Sequence, residues 1–255
     1  MRDTNFLSEI PEVCLQFAFY FHRRGAFPIF EANAEQFSSA SLIKVPILLA
    51  CAFLERTGAF NLDEIWDLNA ETQVHGAGFA HRMHARRLPF HDVLLMMIAN
   101  SDNLCTNLVI HRIGIERLNA IFHQELGLTA DTELQRKLMD FEARARGLDN
   151  WIAVHDCLRL FELVEALPQF QRAWLDPMLQ HCQDSSFLMR DLARDSIHFS
   201  HKTGSIPGVM HDWGYTPDCQ IFLLTNGVTD ESRTNHLFGQ AGRLLVGKSP
   251  TTNPG

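Results

Sequence analysis

Ser41-Leu-Ile-Lys-Val-Pro-Ile-Leu-Leu-Ala-Cys-Ala-Phe-Leu-Glu55 reads as the central helix of the fold. From Leu42 onward it is apolar almost all round, the pattern of a helix buried on every side rather than lying on a surface. Pro46 falls in the first or second turn, where its missing N–H costs little. The polar exceptions are Ser41 and Lys44. Residues i and i+3 share a helix face, so the Lys44 amine can reach the Ser41 hydroxyl.

Toward the C-terminus the helical texture continues to about Gln183. Phe90–Ala99, Asn103–His111, Ile115–Phe122, Val154–Glu165 and Phe170–Leu179 each keep apolar residues at i, i+3 and i+4. Toward the N-terminus, Val13–His22 is aromatic-rich and predicts a buried strand. Arg24-Gly25 punctuates it, and Ala26–Glu31 is the expected hairpin partner, with Pro28 placing it near a sheet edge. Strand character returns in Ile197–Thr203, Val209–Tyr215 and Cys219–Thr225, and Glu231–Val246 predicts a closing helix. Strands at both chain ends around a helical block predict an α+β fold, one antiparallel sheet built from both ends with an inserted all-helical lobe. The expected organisation is one unit over 1–255, with an α/β lobe from 1–36 and 184–255 and a helical lobe over 37–183. The segment from Ser249 to Gly255 reads as a frayed tail.

Composition narrows the partners. The chain has 255 residues, 46% hydrophobic and 20% charged, with a net charge of −8. No basic stripe is present, which argues against nucleic acid. The one cationic run, Arg82 to Arg87, reads as a solvated face. The six cysteines show no C-x-x-C spacing and sit in apolar stretches, as buried thiols of a reducing compartment do. Neither they nor His75, His81, His84 and His91 form a metal-ligand grouping, so no metal and no cofactor is expected. The first residues carry no apolar segment or cleavage site, and the longest apolar run is too short for a bilayer. The expectation is a cytoplasmic protein, away from membranes, monomeric or weakly self-associating.

Three short motifs follow one another: Ser41-Leu-Ile-Lys44, Ser101-Asp-Asn103 and Lys202-Thr-Gly204. Each alone is common; a Ser before a helix is usually a cap. Together they describe a serine nucleophile with its activating parts. A serine hydroxyl is weak until a base takes its proton. Burial of Lys44 and a second cation, Lys202, would lower the lysine pKa toward that task. The Ser41 N–H at a helix start and the Ser205 N–H on the Lys202 strand can hold an oxyanion. Gly204 would let a substrate approach closely. Ser101 can relay a proton between Lys202 and the leaving group, and Asn103 can orient Lys44 and a substrate amide.

With these motifs, in this order and with Phe37-Ser-Ser-Ala before the serine, the chain resembles the class A β-lactamase-type serine hydrolases over its whole length. The resemblance implies catalytic roles for Ser41, Lys44, Ser101, Asn103 and Lys202, and carboxylate-binding and oxyanion roles for Thr203 and Ser205. It also implies a small β-lactam, ester or amide as substrate. His211, on the next strand, stands where family members often place a cation for substrate carboxylates, and His211-Asp212 is equally a polar pair on a sheet edge.

The sequence departs from that family after Ser101-Asp-Asn103. Family β-lactamases carry a loop with a glutamate two residues past an arginine, which activates the deacylating water. Here the loop reads Thr132-Glu-Leu-Gln-Arg-Lys-Leu-Met-Asp-Phe-Glu142. With Arg136 as the loop arginine, the glutamate position holds Leu138, which takes no proton. Arg136 can still close the loop on Asp149. Glu133, Asp140 and Glu142 are the candidate substitutes, Asp140 the nearest, although each also fits an exposed loop charge. The expectation is acylation with slow hydrolysis. The alternatives are a sensing or binding protein that is acylated without turnover, and a D-alanyl peptidase-like enzyme, against which the lack of a signal peptide weighs.

Overall fold

The computed structural model describes residues 4–193 and 196–246; the tail from 249 to 255 lies outside them. A short 3-10 turn leads into α1 (Ile10–Val13), β1 (Cys14–Arg23) and β2 (Ile29–Ala32). Then come β3 (Gln36–Ser38), a 3-10 turn (Ala40–Ile43), α2 (Lys44–Arg56), β4 (Ile65–Asp67) and β5 (Arg87–Pro89). α3 (Phe90–Ala99), α4 (Asn103–Ile113), α5 (Ile115–Ala120), α6 (Phe141–Ala145), β6 (Trp151–Ala153), α7 (Val154–Ala166) and α8 (Gln169–Gln180) follow. The chain returns through β7 (Ser200–Ile206), β8 (Val209–Tyr215), β9 (Cys219–Val228) and α9 (Glu231–Gly242).

The five long strands form one antiparallel sheet in the order β2-β1-β9-β8-β7. Side chains alternate faces along a strand, and the sequence supplies apolar residues for both. Phe17, Phe19 and Phe21 of β1 pack with Ile221, Leu223, Leu237 and Phe238 under α1 and α9. Ala18, Trp213, Phe222 and Leu224 point the other way, into the larger core shared with α2, α3, α4, α7 and α8. At about 25 cal/mol per Å² of apolar surface removed from water, these two cores dominate what holds the fold together.

α2 runs through the middle of that larger core with its side chains from Lys44 to Ala52 buried. Pro46 is its third residue, where no intrahelical donor is lost. The expected all-helical insert needs one correction: it also carries two ribbons, β3 paired with β6 and β4 paired with β5. Their three-residue strands are too short to show a period-two pattern. The cationic run 82–87 is likewise more than a solvated face. Arg86 reaches Asn69, Gln73 and the Ala80 carbonyl, tying the loop before β5 together.

β7 is an edge strand. Alternate N–H groups of an edge strand have no ladder partner. This edge faces the 3-10 turn that carries Ser41, and the contact is close. A Cβ built on Gly204 would lie 2.9 Å from the Leu42 nitrogen and 3.1 Å from the Ser39 oxygen. Glycine is required there because the turn that carries Ser41 takes the space. This corrects the expectation that Gly204 makes room for substrate.

Candidate active site

Ser41 sits in the 3-10 turn one step before α2 and is partly exposed, while Lys44 opens α2 with no exposed surface. Ala40, just before the serine, holds a left-handed φ of 46°. Such backbone is costly for a residue with a Cβ and persists only where packing enforces it. Lys44 Nζ lies 3.1 Å from Ser41 Oγ, 3.0 Å from Ser101 Oγ, 2.6 Å from the Ser101 carbonyl and 3.0 Å from Asn103 Oδ1. Two of these partners, the carbonyl and the amide oxygen, only accept. Asn103 Nδ2 donates to the His75 carbonyl, which fixes the amide so that its oxygen faces Lys44. A neutral amine therefore spends its two N–H bonds on Ser101 O and Asn103 Oδ1 and keeps its lone pair for a serine hydroxyl.

The electrostatics favour that neutral form. Burial lowers the Lys44 pKa well below the usual lysine range, and the positive field of Lys202 lowers it further. Asp102 and Cys105 pull in the opposite direction without restoring it.

Ser101 holds a left-handed φ of 53° at the turn between α3 and α4. Asp102, to which the sequence motifs assign no role, makes this turn possible. Its carboxylate caps α4 at the Cys105 N–H and accepts from the Ala80 N–H at 2.7 Å. The serine turn is thereby tied to the loop before β5. An Asp before an apolar helical run marks a cap in the sequence, but its second partner, 22 residues upstream, leaves no such mark.

Ser41, Ser101, Lys202, Thr203 and Ser205 line one cavity of about 320 Å³. The structure thus brings the three motifs together. Lys202 is fully buried and donates to the Thr203 carbonyl at 2.8 Å, so the amine that reaches the Ser41 and Ser101 hydroxyls alike is that of Lys44. Burial lowers the Lys202 pKa while Cys182, Asp184 and Asp212 raise it.

His211 does not face this cavity, and this corrects its expected substrate-binding place. It has no exposed surface and lies 2.7 Å from the Ser38 carbonyl through Nε2, with its Nδ1 accepting from the Thr225 N–H. Phe37 meets its ring edge-on. Burial pushes its pKa down to about 4, so the ring is neutral and fastens the strand before Ser41 to the sheet.

The loop after α5 is closed as its sequence predicts. Arg136 grips Asp149 at 2.6 Å, and Ser38 Oγ donates to the same carboxylate at 2.6 Å. Burial works to raise the Asp149 pKa, but the Ser38 and Arg136 hydrogen bonds hold it below the ordinary carboxylate value. Asn107 on α4 pins Leu138 twice, accepting from its N–H at 2.8 Å and donating to its carbonyl at 2.9 Å. The Leu138 side chain belongs to the large core, and Met139 after it holds a left-handed φ of 65°. Lys137 and His111 meet the buried Glu71, which anchors the same stretch.

None of the three candidate deacylating acids lines the Ser41 cavity. Glu133 accepts from Gln135, Asp140 caps α6 at the Ala143 N–H, and Glu142 is exposed. Their carboxylates serve loop structure or solvent, which corrects the expectation that one of them replaces the missing glutamate.

Among the described residues no helix is long and apolar enough to cross a membrane. The sequence model of the beta-lactamase enzyme family matches residues 14–248. The fold is similar to a β-lactamase from Sphaerobacter thermophilus DSM 20745, with a TM-score of 0.81, 22% identity and 94% of each chain covered. It is also similar to PBP-A, with a TM-score of 0.78, 25% identity and 95% of each chain covered. A mutant of PBP-A with a leucine replaced by glutamate, solved as an acyl-enzyme complex with penicillin G, matches with a TM-score of 0.78, 23% identity and 95% coverage of each chain. Curated proteins gave no significant match.

Proposed function

Because the chain belongs to the beta-lactamase enzyme family, we propose that it is a serine acyl hydrolase that takes an acyl group from a β-lactam, or a related ester or amide, onto Ser41 and releases it slowly. The observation that carries this reading is the placement of the Lys44 amine, 3.1 Å from Ser41 Oγ and 3.0 Å from Ser101 Oγ, with its other bonds spent on pure acceptors.

Neutral Lys44 takes the Ser41 proton as Oγ attacks the carbonyl carbon. The oxyanion forms between the Ser41 N–H and the Ser205 N–H on the free edge of β7. Because Lys44 also touches Ser101 Oγ, the proton passes through Ser101 to the departing nitrogen or oxygen. Asn103 holds Lys44 and meets a substrate amide. Thr203 and Ser205 bind a substrate carboxylate, drawn in by the positive field of Lys202. The ester on Ser41 then waits for water. Leu138 stands in the pinned loop where a base is needed, and no substitute carboxylate lines the cavity.

The likeness to PBP-A, whose leucine-to-glutamate mutant was captured with penicillin G, supports a β-lactam as the acylating agent. The buried Leu138 equally favours a second reading, in which acylation is the output and the protein senses or binds rather than degrades. The thiols of Cys14, Cys51, Cys105, Cys157 and Cys182 are free, which supports a reducing, cytoplasmic setting.

Intact-protein mass spectrometry after adding penicillin G, with Ser41→Ala alongside, tests the proposal. A mass adduct lasting many minutes and lost in Ser41→Ala is the expected result. Steady loss of penicillin with no adduct would show rapid deacylation through a base other than those considered. A chain that forms no adduct with penicillin, esters or amides would overturn the proposal.

A further inference from the structure

The wall of the Ser41 cavity holds a thiol with its own cationic partner. Cys182, just past α8, lines that cavity together with Ser101, Lys202 and Thr203. On its other side Cys182 lines a second pocket together with His201, whose charge acts directly on the thiol. His201 Nδ1 in turn lies 3.0 Å from Asp212 Oδ1, on a carboxylate with no exposed surface. The second oxygen of Asp212 accepts from the Leu188 N–H, which fixes the carboxylate. Phe199 stacks on the His201 ring with 4.7 Å between centroids. Thiol, imidazolium and orienting acid thus stand in succession, and a neighbouring imidazolium is what activates a thiol. None of the three is used in acyl transfer to Ser41.

We propose that Cys182 is a covalent modification site for small disulfides and that occupying it closes the Ser41 cleft. His201, held charged by Asp212, stabilises the Cys182 thiolate left when the thiol gives its proton to solvent. The thiolate attacks one sulfur of the disulfide, the new Cys182 S–S bond forms as the original S–S bond breaks, and the departing thiolate takes a proton from solvent. The disulfide is the only oxidant required, and one free thiol is released for each group attached.

The charged groups facing the thiol are His201, Lys202 and Asp212. Burial works to raise the Cys182 pKa, but His201 and Lys202 bring it down to about 7, with Asp212 opposing. Burial likewise opposes charge on His201, yet Asp212 and Cys182 raise its pKa to about 10. Cys14, Cys51, Cys105 and Cys157 are buried thiols whose pKa values burial raises. Selectivity among these follows from both ionisation and access. A group attached at Cys182 has to occupy part of a cavity of only about 320 Å³.

The test treats the intact protein with 2-hydroxyethyl disulfide from pH 5 to 9, followed by peptide mass mapping. A fluorophosphonate probe then reports whether Ser41 is still accessible. The expected result is one mixed disulfide, at Cys182, forming at a rate half-maximal near pH 7. Ser41 labelling is lost with it and returns on adding dithiothreitol. His201→Gln moves the half-maximum toward the ordinary thiol value of about 8.5 and slows the reaction at pH 7 about tenfold. Modification at other cysteines first, a wild-type half-maximum near 8.5, or unchanged Ser41 labelling in the fully modified protein would overturn the proposal. The wild-type pH profile decides the point even where His201→Gln fails to fold.

Discussion

Replacing Leu138 by glutamate should turn a long-lived acyl-enzyme into one that hydrolyses. The backbone at this position is held by both hydrogen bonds from Asn107, so the new side chain leaves the loop in the same direction as the leucine. Leu138 is 8% exposed and packed in the large core, so its loss forfeits about 2 kcal/mol of apolar burial. Partial burial of the incoming carboxylate adds to that, for a total of about 2–4 kcal/mol. For a chain of this size the melting temperature should fall by roughly 4–16 °C. A positioned general base contributes about 10²- to 10⁴-fold, and deacylation should accelerate by that factor. Burial raises a carboxyl pKa, so the gain should grow with pH through a midpoint above the ordinary glutamate value.

The assay follows the decay of the penicillin G adduct by rapid-quench mass spectrometry in the wild type, Leu138→Glu and Leu138→Gln. The glutamine variant has the same length and a similar packing defect but no base. Faster decay in glutamate alone is the expected pattern. Equal lifetimes in all three, alongside the predicted loss of stability, would refute the reading of position 138 as the place of the missing base. Equal acceleration in both variants would show that loosening the loop, not a base, admits water.

Three further outcomes follow from the same geometry. Lys44→Ala should slow adduct formation by at least about 10²-fold. In the wild type the rate should rise with pH as Lys44 loses its proton; Lys202→Met removes a positive field that lowers the Lys44 pKa, so that limb should move to higher pH in stopped-flow acylation. Asp149→Asn breaks the partly buried pair with Arg136 and weakens the Ser38 contact, and should cost about 1–3 kcal/mol in urea unfolding, with faster amide exchange over 132–150. His211 is held neutral, with a folded pKa of about 4 against 6.5 unfolded. Its contribution is complete above pH 6.5 and is lost as pH falls through about 4, a difference of about 3 kcal/mol. The wild-type loss of stability between pH 7 and 4 should therefore exceed that of His211→Gln by about that amount.

Much of the site is legible in the sequence because its parts are local. Ser41 and Lys44 meet through one helical turn, and Ser101 and Asn103 share one turn, so spacing alone puts each pair together. The five-stranded sheet is legible because its longer strands are apolar and aromatic runs bounded by Gly and Pro turns, as strands covered on both faces are. What escapes is whatever depends on contact between distant segments. The left-handed backbone at Ala40, Ser101 and Met139 leaves no mark in residue type, since none is glycine or asparagine. Asp102 shows its capping role, but not its grip on the Ala80 N–H. Glu133, Asp140 and Glu142 are acids in the right loop, and only the folded loop shows that they point to other work.

His211-Asp212 makes the distinction sharpest. Read as one polar pair at a sheet edge, the two residues suggest a single binding feature. Consecutive residues on a strand point to opposite faces. His211 therefore turns toward Ser38 and Phe37 beneath the nucleophile, while Asp212 turns toward His201 and the Leu188 N–H. The same alternation places Lys202 and Gly204 on the side of the Ser41 turn and His201 on the side of Asp212. Two adjacent residues thus support two different centres. His211 stabilises the serine's turn as a neutral donor, and Asp212 keeps His201 charged beside the Cys182 thiol. A change at one should leave the other's titration in place, because the sheet backbone separates them.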